Sequence, residues 1–396
     1  MTIIEFFDKD AIENVVSTLL CDPDRVVFIG NNYKRMNRAK ARYQQVAEKY
    51  GRKAEFVVRG LERNDLWKIV ETLEDVVNKY GDCTVDLSGG EELYLVAAGI
   101  VFQRLPGKLQ LHRFNRNNET FYDCDADGCI LHQQKLALSV EDNITLYGGR
   151  IIYEDDVFPG TRKWDLNPEF RNDVDVMWRL CTEYTKVWNA LLTRASNKGK
   201  EDPLQVHIDI VRYCMQEGTG EATIPPLFEE LEKEGLIRHL RVDNYDLHFR
   251  CKDEQVLRCL TTAGLVLELK PTILLADTGL YNSIMTGVRL DWDGRNAENN
   301  VENEIDVLAM RGLIPVFVSC KNGTEVDVDE LYKLGTVAEH FGGKNARKVL
   351  VASYQLNEDF NRRAHEMHIR VIDGVRTLSE VAFRNALYNI TGELNR

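Results

Sequence analysis

Acidic residues at alternate positions, followed across a turn by a lysine, give this chain its most chemically suggestive stretch, Asn300 to Gly323. It reads as two strands joined by a tight turn at Arg311-Gly312. Strand side chains alternate faces, so Glu302, Glu304 and Asp306 share one face and Ile305 and Val307 the other. In the second strand Phe317, Ser319 and Lys321 share a face, opposite Val316, Val318 and Cys320. An antiparallel register that sets an even position against an odd one gathers Asp306, Glu304, Ser319 and Lys321 on one surface; a one-residue slip separates acids from lysine. Such a cluster suits phosphodiester hydrolysis. Carboxylates hold a hard divalent cation, the cation acts on water and phosphate, and the lysine orients the water or stabilises developing charge. The competing reading is a solvated hairpin. An apolar run that ends abruptly in a lysine, with evenly spaced acids before it, favours chemistry.

The surrounding pattern supplies an α/β framework. The sequence predicts a helix over Ala276 to Val288 and another over Asp327 to Phe341. The second has an apolar stripe at Leu331, Leu334, Val337 and Phe341, and Glu330 and Lys333 on its polar face. Strand Lys348–Ser353, helix Asn357–Glu366, strand Ile369–Asp373 and helix Thr377–Tyr388 follow.

The first 150 residues alternate strand and helix: strands at Arg25–Gly30, Ala54–Gly60, Cys83–Leu87 and Lys108–Phe114, with helices between them. That is an open, doubly wound α/β sheet, which binds ligands at the carboxyl ends of its strands. Those ends carry Asn31-Asn32, Arg59-Gly60, Ser88-Gly89-Gly90 and Arg116. No GxGxxG follows the first strand, which argues against a dinucleotide site. Small residues entering a helix still cradle phosphate through free N–H groups. Phe121 to His132 reads as a hairpin on an Asp-Gly turn.

Between 151 and 268 the pattern is a helix from Val174 to Ala195, a loop at Asn197–Lys200, helices over His207–Gln216 and Pro225–Gly235, a hairpin and a last helix. This order resembles a winged-helix module. Its acidic helix, Leu227 to Gly235, repels phosphate and favours a spacer or packing role. The net charge of -13 across 396 residues excludes a surface uniformly basic for duplex DNA, but not a local basic channel. No apolar run reaches membrane-spanning length, and the acidic start does not resemble a signal peptide; a cytoplasmic protein is expected. Nine scattered cysteines without a CxxC pair suggest neither a zinc site nor a disulfide framework.

The strand Asn303–Leu308 (NEIDVL) followed by Ser319-Cys320-Lys321 (SCK) resembles the restriction-endonuclease-like PD-(D/E)xK core, in the version fused to a CRISPR-associated Rossmann-fold (CARF) domain. Asp86–Leu93 (DLSGGEEL) is similar to the glycine-rich CARF motif, and Leu138–Gly149 to the segment that closes such domains. The resemblance implies a CARF sensor at 1–150, a linker with a winged-helix-like module at 151–268 and a nuclease domain at 269–396. It implies Asp306 as a metal ligand, Lys321 as the catalytic lysine, and Mn²⁺ or Mg²⁺ as the cofactor. It further implies a homodimer that binds cyclic oligoadenylate, most often cyclic tetra-adenylate, through Asn31, Asn32, Ser88, Gly89 and Gly90. The substrate would be single-stranded DNA or RNA, cut in type III CRISPR antiviral defence. Two positions depart from the family. Ser319 stands where the second acid belongs, so Glu304 or Glu302 is expected to replace it. A Gly-x-Trp-Leu-Glu helix motif aligns with Thr278–Asn282, leaving Asn282 in the place of its acid. The alternatives are a ligand-responsive DNA-binding regulator with an inactive nuclease core, and a small-molecule enzyme on the N-terminal sheet.

Overall fold

The computed structural model describes residues 1–61, 65–125, 127–155, 159–192, 202–217, 222–292 and 302–392; the expected loop at Asn197–Lys200 lies outside them. The N-terminal sheet comprises β1 (Thr2–Phe6), β2 (Arg25–Gly30), β3 (Glu55–Gly60), β4 (Cys83–Asp86), β5 (Leu109–Asn115), β6 (Thr120–Cys124) and β7 (Cys129–Gln133). Their order is β3-β2-β1-β4-β5-β6-β7, parallel as far as β5. The expected sheet lacked β1, which lies at its centre and is wholly buried. Five residues before the first helix are too few to show a period. Helices α1 (Val16–Cys21), α2 (Tyr33–Lys49) and α5 (Val140–Tyr147) pack on one face, and α3 (Leu66–Tyr80) and α4 (Glu92–Arg104) on the other. The β6–β7 hairpin forms as expected, but Cys124 and Cys129 are disulfide-bonded across it. Antiparallel pairing sets them opposite one another, a proximity that their spacing in sequence does not reveal.

After β8 (Arg150–Ile151) come α6 (Pro168–Glu183), α7 (Thr185–Leu191), β9 (Gln205–Asp209), α8 (Val211–Glu217), α9 (Pro226–Lys233), β10 (Ile237–Asp243), β11 (Asp246–Cys251) and α10 (Glu254–Thr261). The small sheet runs β10-β11-β9. This is the winged-helix order, although the first half of the helix expected at His207–Gln216 is strand β9, with Val206 and Ile208 buried in the module's own core.

The C-terminal sheet has the order β16-β15-β14-β13-β12-β8, from β12 (Ser283–Asp291), β13 (Glu302–Arg311), β14 (Ile314–Lys321), β15 (Arg347–Ala352) and β16 (Ile369–Ile372). Its helices are α11 (Leu265–Asp277), α12 (Asp329–Gly342), α13 (Glu358–Glu366) and α14 (Glu380–Gly392). The helix expected over Ala276–Val288 is therefore a strand. Ile284, Thr286, Val288 and Leu290 alternate with period two, and Gly279 takes a positive φ of 65° just after α11 ends. Asn282, aligned with an acid, is instead a brace. Its Nδ2 donates to the Leu138 carbonyl (2.7 Å) and its Oδ1 accepts from the Gly312 N–H (2.8 Å), so it holds the β13–β14 turn.

One apolar core joins the N-terminal and C-terminal domains. Phe28 and Tyr43 from the first sheet layer, Ile144 and Leu146 of α5, Leu308 and Phe317 of the second sheet, and Leu331 and Phe341 of α12 belong to a single contiguous cluster. Asn143 adds a hydrogen bond to the Phe341 carbonyl (2.7 Å).

Replacing Asn282 with alanine removes both partners of the turn. Asn282→Ala is expected to lower stability by about 1 kcal/mol, with Asn282→Asp, which keeps only the acceptor, in between; the urea midpoint at constant slope measures it.

Candidate functional site

The register of β13 on β14 pairs Val307 with Val318 and Leu308 with Phe317, odd against even. Continued toward the open end it sets Asp306 against Ser319, as the alternation required. Asp306 Oδ2 accepts from the Cys320 backbone N–H (2.5 Å) and from Ser319 Oγ (3.3 Å). Asp306, Glu304, Ser319 and Lys321 line one cavity of about 200 Å³, together with Glu330 and Lys333 of α12. Lys321 Nζ lies 2.6 Å from Glu330 Oε2, and Lys333 Nζ 2.7 Å from Glu330 Oε1. Burial works against the Glu330 charge, but the two ammonium groups more than offset it and hold its carboxyl below the usual range.

The expected replacement for the missing acid was Glu304 or Glu302. Glu304 is exposed, 3.7 Å from the Arg289 guanidinium, and the Glu302 side chain lies outside the described residues. A different carboxylate comes from the helix. Glu268, in the first turn of α11, is pushed up to about 8 by burial and then by the charges of Asp306 and Glu304, with Lys321 opposing. Asp306 is likewise raised, by burial first; the Cys320 N–H and Lys321 oppose this and Glu304 adds to it. The signal for Glu268 was present in the sequence: Gly264-Leu265-Val266-Leu267-Glu268 has the Gly-x-x-Leu-Glu spacing that was sought at Thr278–Asn282. The expected boundary at 268 cuts through α11.

Among the described residues no three acidic, His or Cys side chains already form a metal-binding group. The donor chemistry nevertheless fits a hard divalent cation. Asp306 and Glu268 offer carboxylate oxygens, Ser319 a hydroxyl, and the raised carboxyls are the groups that a bound cation would relieve.

In the sensor domain, Asn31 and Asn32 are exposed at the end of β2, where Asn32 caps α2 by accepting from the Arg35 N–H (3.0 Å). Ser88 Oγ accepts from the Phe114 N–H (2.8 Å), and the Gly90 N–H donates to Asp8 Oδ2 (3.1 Å). Gly90 has a φ of +100°, and a Cβ there would stand 2.6 Å from Phe6 Cβ, so tight packing on β1 accounts for this glycine. Arg59 is exposed on β3. Arg116 does not face the strand ends. It is buried, ion-paired to Asp10 and to Glu13 (2.8 Å), and its role is to neutralise those acids. Tyr147 of α5 donates to Asp10 Oδ1 (2.5 Å), and Lys344, just past α12, lies 3.5 Å from Glu13. This cluster joins the N-terminal domain to the C-terminal one. A second one, beneath the glycines, sets Asp86 3.6 Å from His112; burial opposes the imidazolium, but Asp86 and Cys21 hold its pKa up at about 10.

Residues 253–384 match the family model described as the Card1-like endonuclease domain. No curated protein matches the chain. Among solved structures, protein VC1899 from Vibrio cholerae aligns with a TM-score of 0.73 at 16% identity, covering 100% of this chain and 98% of that one. Can2 from Sulfobacillus thermosulfidooxidans, solved in complex with cyclic tetra-adenylate, aligns with a TM-score of 0.69 at 15% identity, covering 98% and 99%. These alignments show a shared fold over essentially the whole chain, and the family-model match lies within its last third and the helix before it. Among the described residues no helix is long and apolar enough to cross a membrane.

Neutralising Glu268 separates its electrostatic cost from its use. Because its folded-state pKa is raised to about 8, the unfolded chain ionises Glu268 first, so the carboxyl costs stability progressively as pH rises from the ordinary carboxylate range toward about 8, and in full above it. Metal-free Glu268→Gln is therefore expected to gain on the order of 1 kcal/mol at alkaline pH, and if Glu268 holds a cation, a rise in Tm with Mn²⁺ is expected in the parent and not in the variant. Thermal melts with Mn²⁺ or EDTA read both effects.

Proposed function

We propose that the protein is a metal-dependent endonuclease for single-stranded DNA or RNA, switched on by cyclic oligoadenylate in type III CRISPR antiviral defence. The observation that supports this most directly is that Asp306, Ser319 and Lys321 line one cavity at the open end of the β13–β14 pair, with the buried Glu268 carboxyl within the field of Asp306 and Lys321. Asp306, Glu268 and Ser319 are the residues to hold Mn²⁺ or Mg²⁺, which would supply Lewis acidity at the scissile phosphate. Lys321 stabilises the charge that develops there and orients the attacking water. Glu330 competes for Lys321 through their 2.6 Å pair, so Lys321 is engaged elsewhere until that contact loosens. The alternative of a regulator with an inactive nuclease core rested on the acids missing at Ser319 and Asn282; Glu268, at the helix-acid spacing, answers the second of these.

The ligand is assigned to the sensor strand ends, with Asn31, Asn32 and the Ser88–Gly90 turn around it; cyclic tetra-adenylate, the ligand of the Can2 complex, is the first candidate. Activation requires that the ligand bind two arrangements of the domains with different affinity. A homodimer fits the sensor surface. Helix α4 buries Tyr94, Ala97, Ala98 and Val101 yet leaves Leu93, Leu95 and Val96 exposed, and Trp67 of neighbouring α3 is 61% exposed. Apolar residues on both sides of a surface helix mark a face that wants a partner.

Cleavage of labelled single-stranded DNA and RNA in Mn²⁺, with and without cyclic tetra-adenylate, tests the activity. Asp306→Ala, Lys321→Ala and Glu268→Ala should each lose about 100-fold or more of ligand-dependent cutting; cutting that survives all three would place the chemistry elsewhere. Trp67→Glu combined with Val96→Glu should sediment as a monomer and lose activation, and an unchanged dimer would exclude this face.

A further inference from the structure

A second and larger cavity, of about 1310 Å³, opens between the sensor and nuclease domains. It is separate from the active site. Strand β15 starts at Arg347 in this cleft and ends at Ala352, beside Lys321. The two places thus lie at opposite ends of one strand, roughly 17 Å apart at ~3.3 Å per residue. In a chain of net charge -13 the lining is locally basic. Lys9 and Arg35 come from the sensor domain, and Lys344, Arg347, Lys348 and Arg370 from the nuclease domain.

The acids in the same wall are Asp8, Asp10 and Glu339, and two of them are already engaged. Asp10 is paired with buried Arg116 and accepts from Tyr147 (2.5 Å). Asp8 accepts from the backbone N–H groups of Gly90 (3.1 Å) and Asp10 (2.8 Å). Asp8 and Lys9 directly follow the end of β1, and Arg35 lies in the first turn of α2, so the cleft is continuous with the strand ends where doubly wound sheets take ligands. An aromatic surface completes it: Trp292 is stacked on His340 with ring centroids 4.1 Å apart and planes inclined by 23°. Cations in a groove beside a flat aromatic surface are what an oligonucleotide needs, for its backbone and its bases respectively. The volume exceeds the ~300–1,000 Å³ of drug-sized pockets and suits more than one nucleotide.

We propose that this cleft is a phosphodiester-binding site built jointly by the two domains, in which Lys344, Arg347 and Arg370 of the nuclease domain meet the same bound oligonucleotide as Lys9 and Arg35 of the sensor. Only the choice of probe rests on the functional reading above. The bound phosphodiester is either the cyclic activator or a stretch of the substrate strand, and the chemistry of recognition is the same for both.

Fluorescence anisotropy on the full chain in EDTA, with labelled cyclic tetra-adenylate in one arm and labelled oligo(dT) in the other, tests the assignment. Lys9 and Lys344 are exposed and are replaced together, Lys9→Glu with Lys344→Glu. Lys344 also lies 3.5 Å from buried Glu13; the matched Gln pair, which sets no negative charge beside Glu13, separates lost recognition from damage to that cluster in the Glu pair. Affinity for at least one probe should fall about tenfold or more in the Glu pair, with a shallower salt dependence. Loss for the cyclic probe alone identifies the activator, and loss for the strand alone identifies a substrate path. Affinities within about twofold of the parent for both probes, or a parent that binds neither, overturn the proposal. Failure of the nuclease reading shows separately, as a parent that cuts nothing in Mn²⁺ whatever the cleft binds.

Discussion

The register of β13 against β14 is the constraint on which the site depends. Strand side chains have a period of two, so the pairing of Val307 with Val318 decides at once which residues meet α12 and which meet α11. Leu308 and Phe317 belong to the core beneath α12, and Val307, Val316 and Val318 to the core that includes Leu267 and Leu274 of α11. Those two apolar sets lock the strands in place over their paired length. Asp306, Ser319 and Lys321 lie just beyond that length, where the same alternation continues with polar side chains. The turn is fixed independently. Gly312 has a φ of +59°, Asn282 accepts from its N–H, and its carbonyl accepts from the Leu138 N–H (3.1 Å). A slip would bury charges and expose core residues on both faces together.

That geometry explains how the chain tolerates serine at position 319. The hydroxyl of Ser319 donates to Asp306 and so orients it, whereas a carboxylate there would add another negative charge to a surface that already holds Asp306 and Glu304. The second buried acid comes instead from Glu268, on a helix held in place by its own ion pairs: Lys270, two residues along α11, is buried and bonded to Asp175 (2.6 Å) and Glu380 (3.1 Å). Removing both acids would leave the Lys270 charge buried without a mate. Glu268 thus stands at the helix-acid spacing, and position 319 keeps a hydroxyl where a strand carboxylate was sought.

Much of this was legible in the sequence, and what was not has physical reasons. Long periodic elements such as α3, α12 and the β13–β14 pair stand out because burial on one face imposes a pattern on many residues. Asp306, Ser319 and Lys321 fell together because alternation alone groups them. β1 escaped because five buried residues at the start of a chain show no alternation. The stretch Leu265–Asp277 is apolar nearly all round, since it packs against α6, α14 and the sheet; it carries little helical period, and the search for the metal-supporting acid moved one element too far. Arg116 looked like a ligand residue because strand-end position is visible in sequence, whereas its pairing with Asp10 and Glu13, over a hundred residues earlier, is a tertiary fact.

Helix α12 is the element through which the two ends of the nuclease domain communicate. Its fourteen residues span about 21 Å. Near its start Glu330 grips Lys321, and Thr336, Glu339 and His340 line the inter-domain cleft. Just past its end Gly343 fits where a Cβ would stand 2.7 Å from Asp10 and 2.8 Å from the Tyr147 hydroxyl. Leu331, Leu334, Val337 and Phe341 are all buried in the core that also holds Phe28 and Tyr43 of the sensor. A stripe packed this densely resists local unwinding, which would open a cavity at every turn. The low-cost movement is a small slide of the whole helix on the sheet, of the kind that packed helices undergo in shear. Under the proposed activation, such a slide would carry Glu330 with it, so a shift imposed where α12 meets the N-terminal domain would change the hold on Lys321.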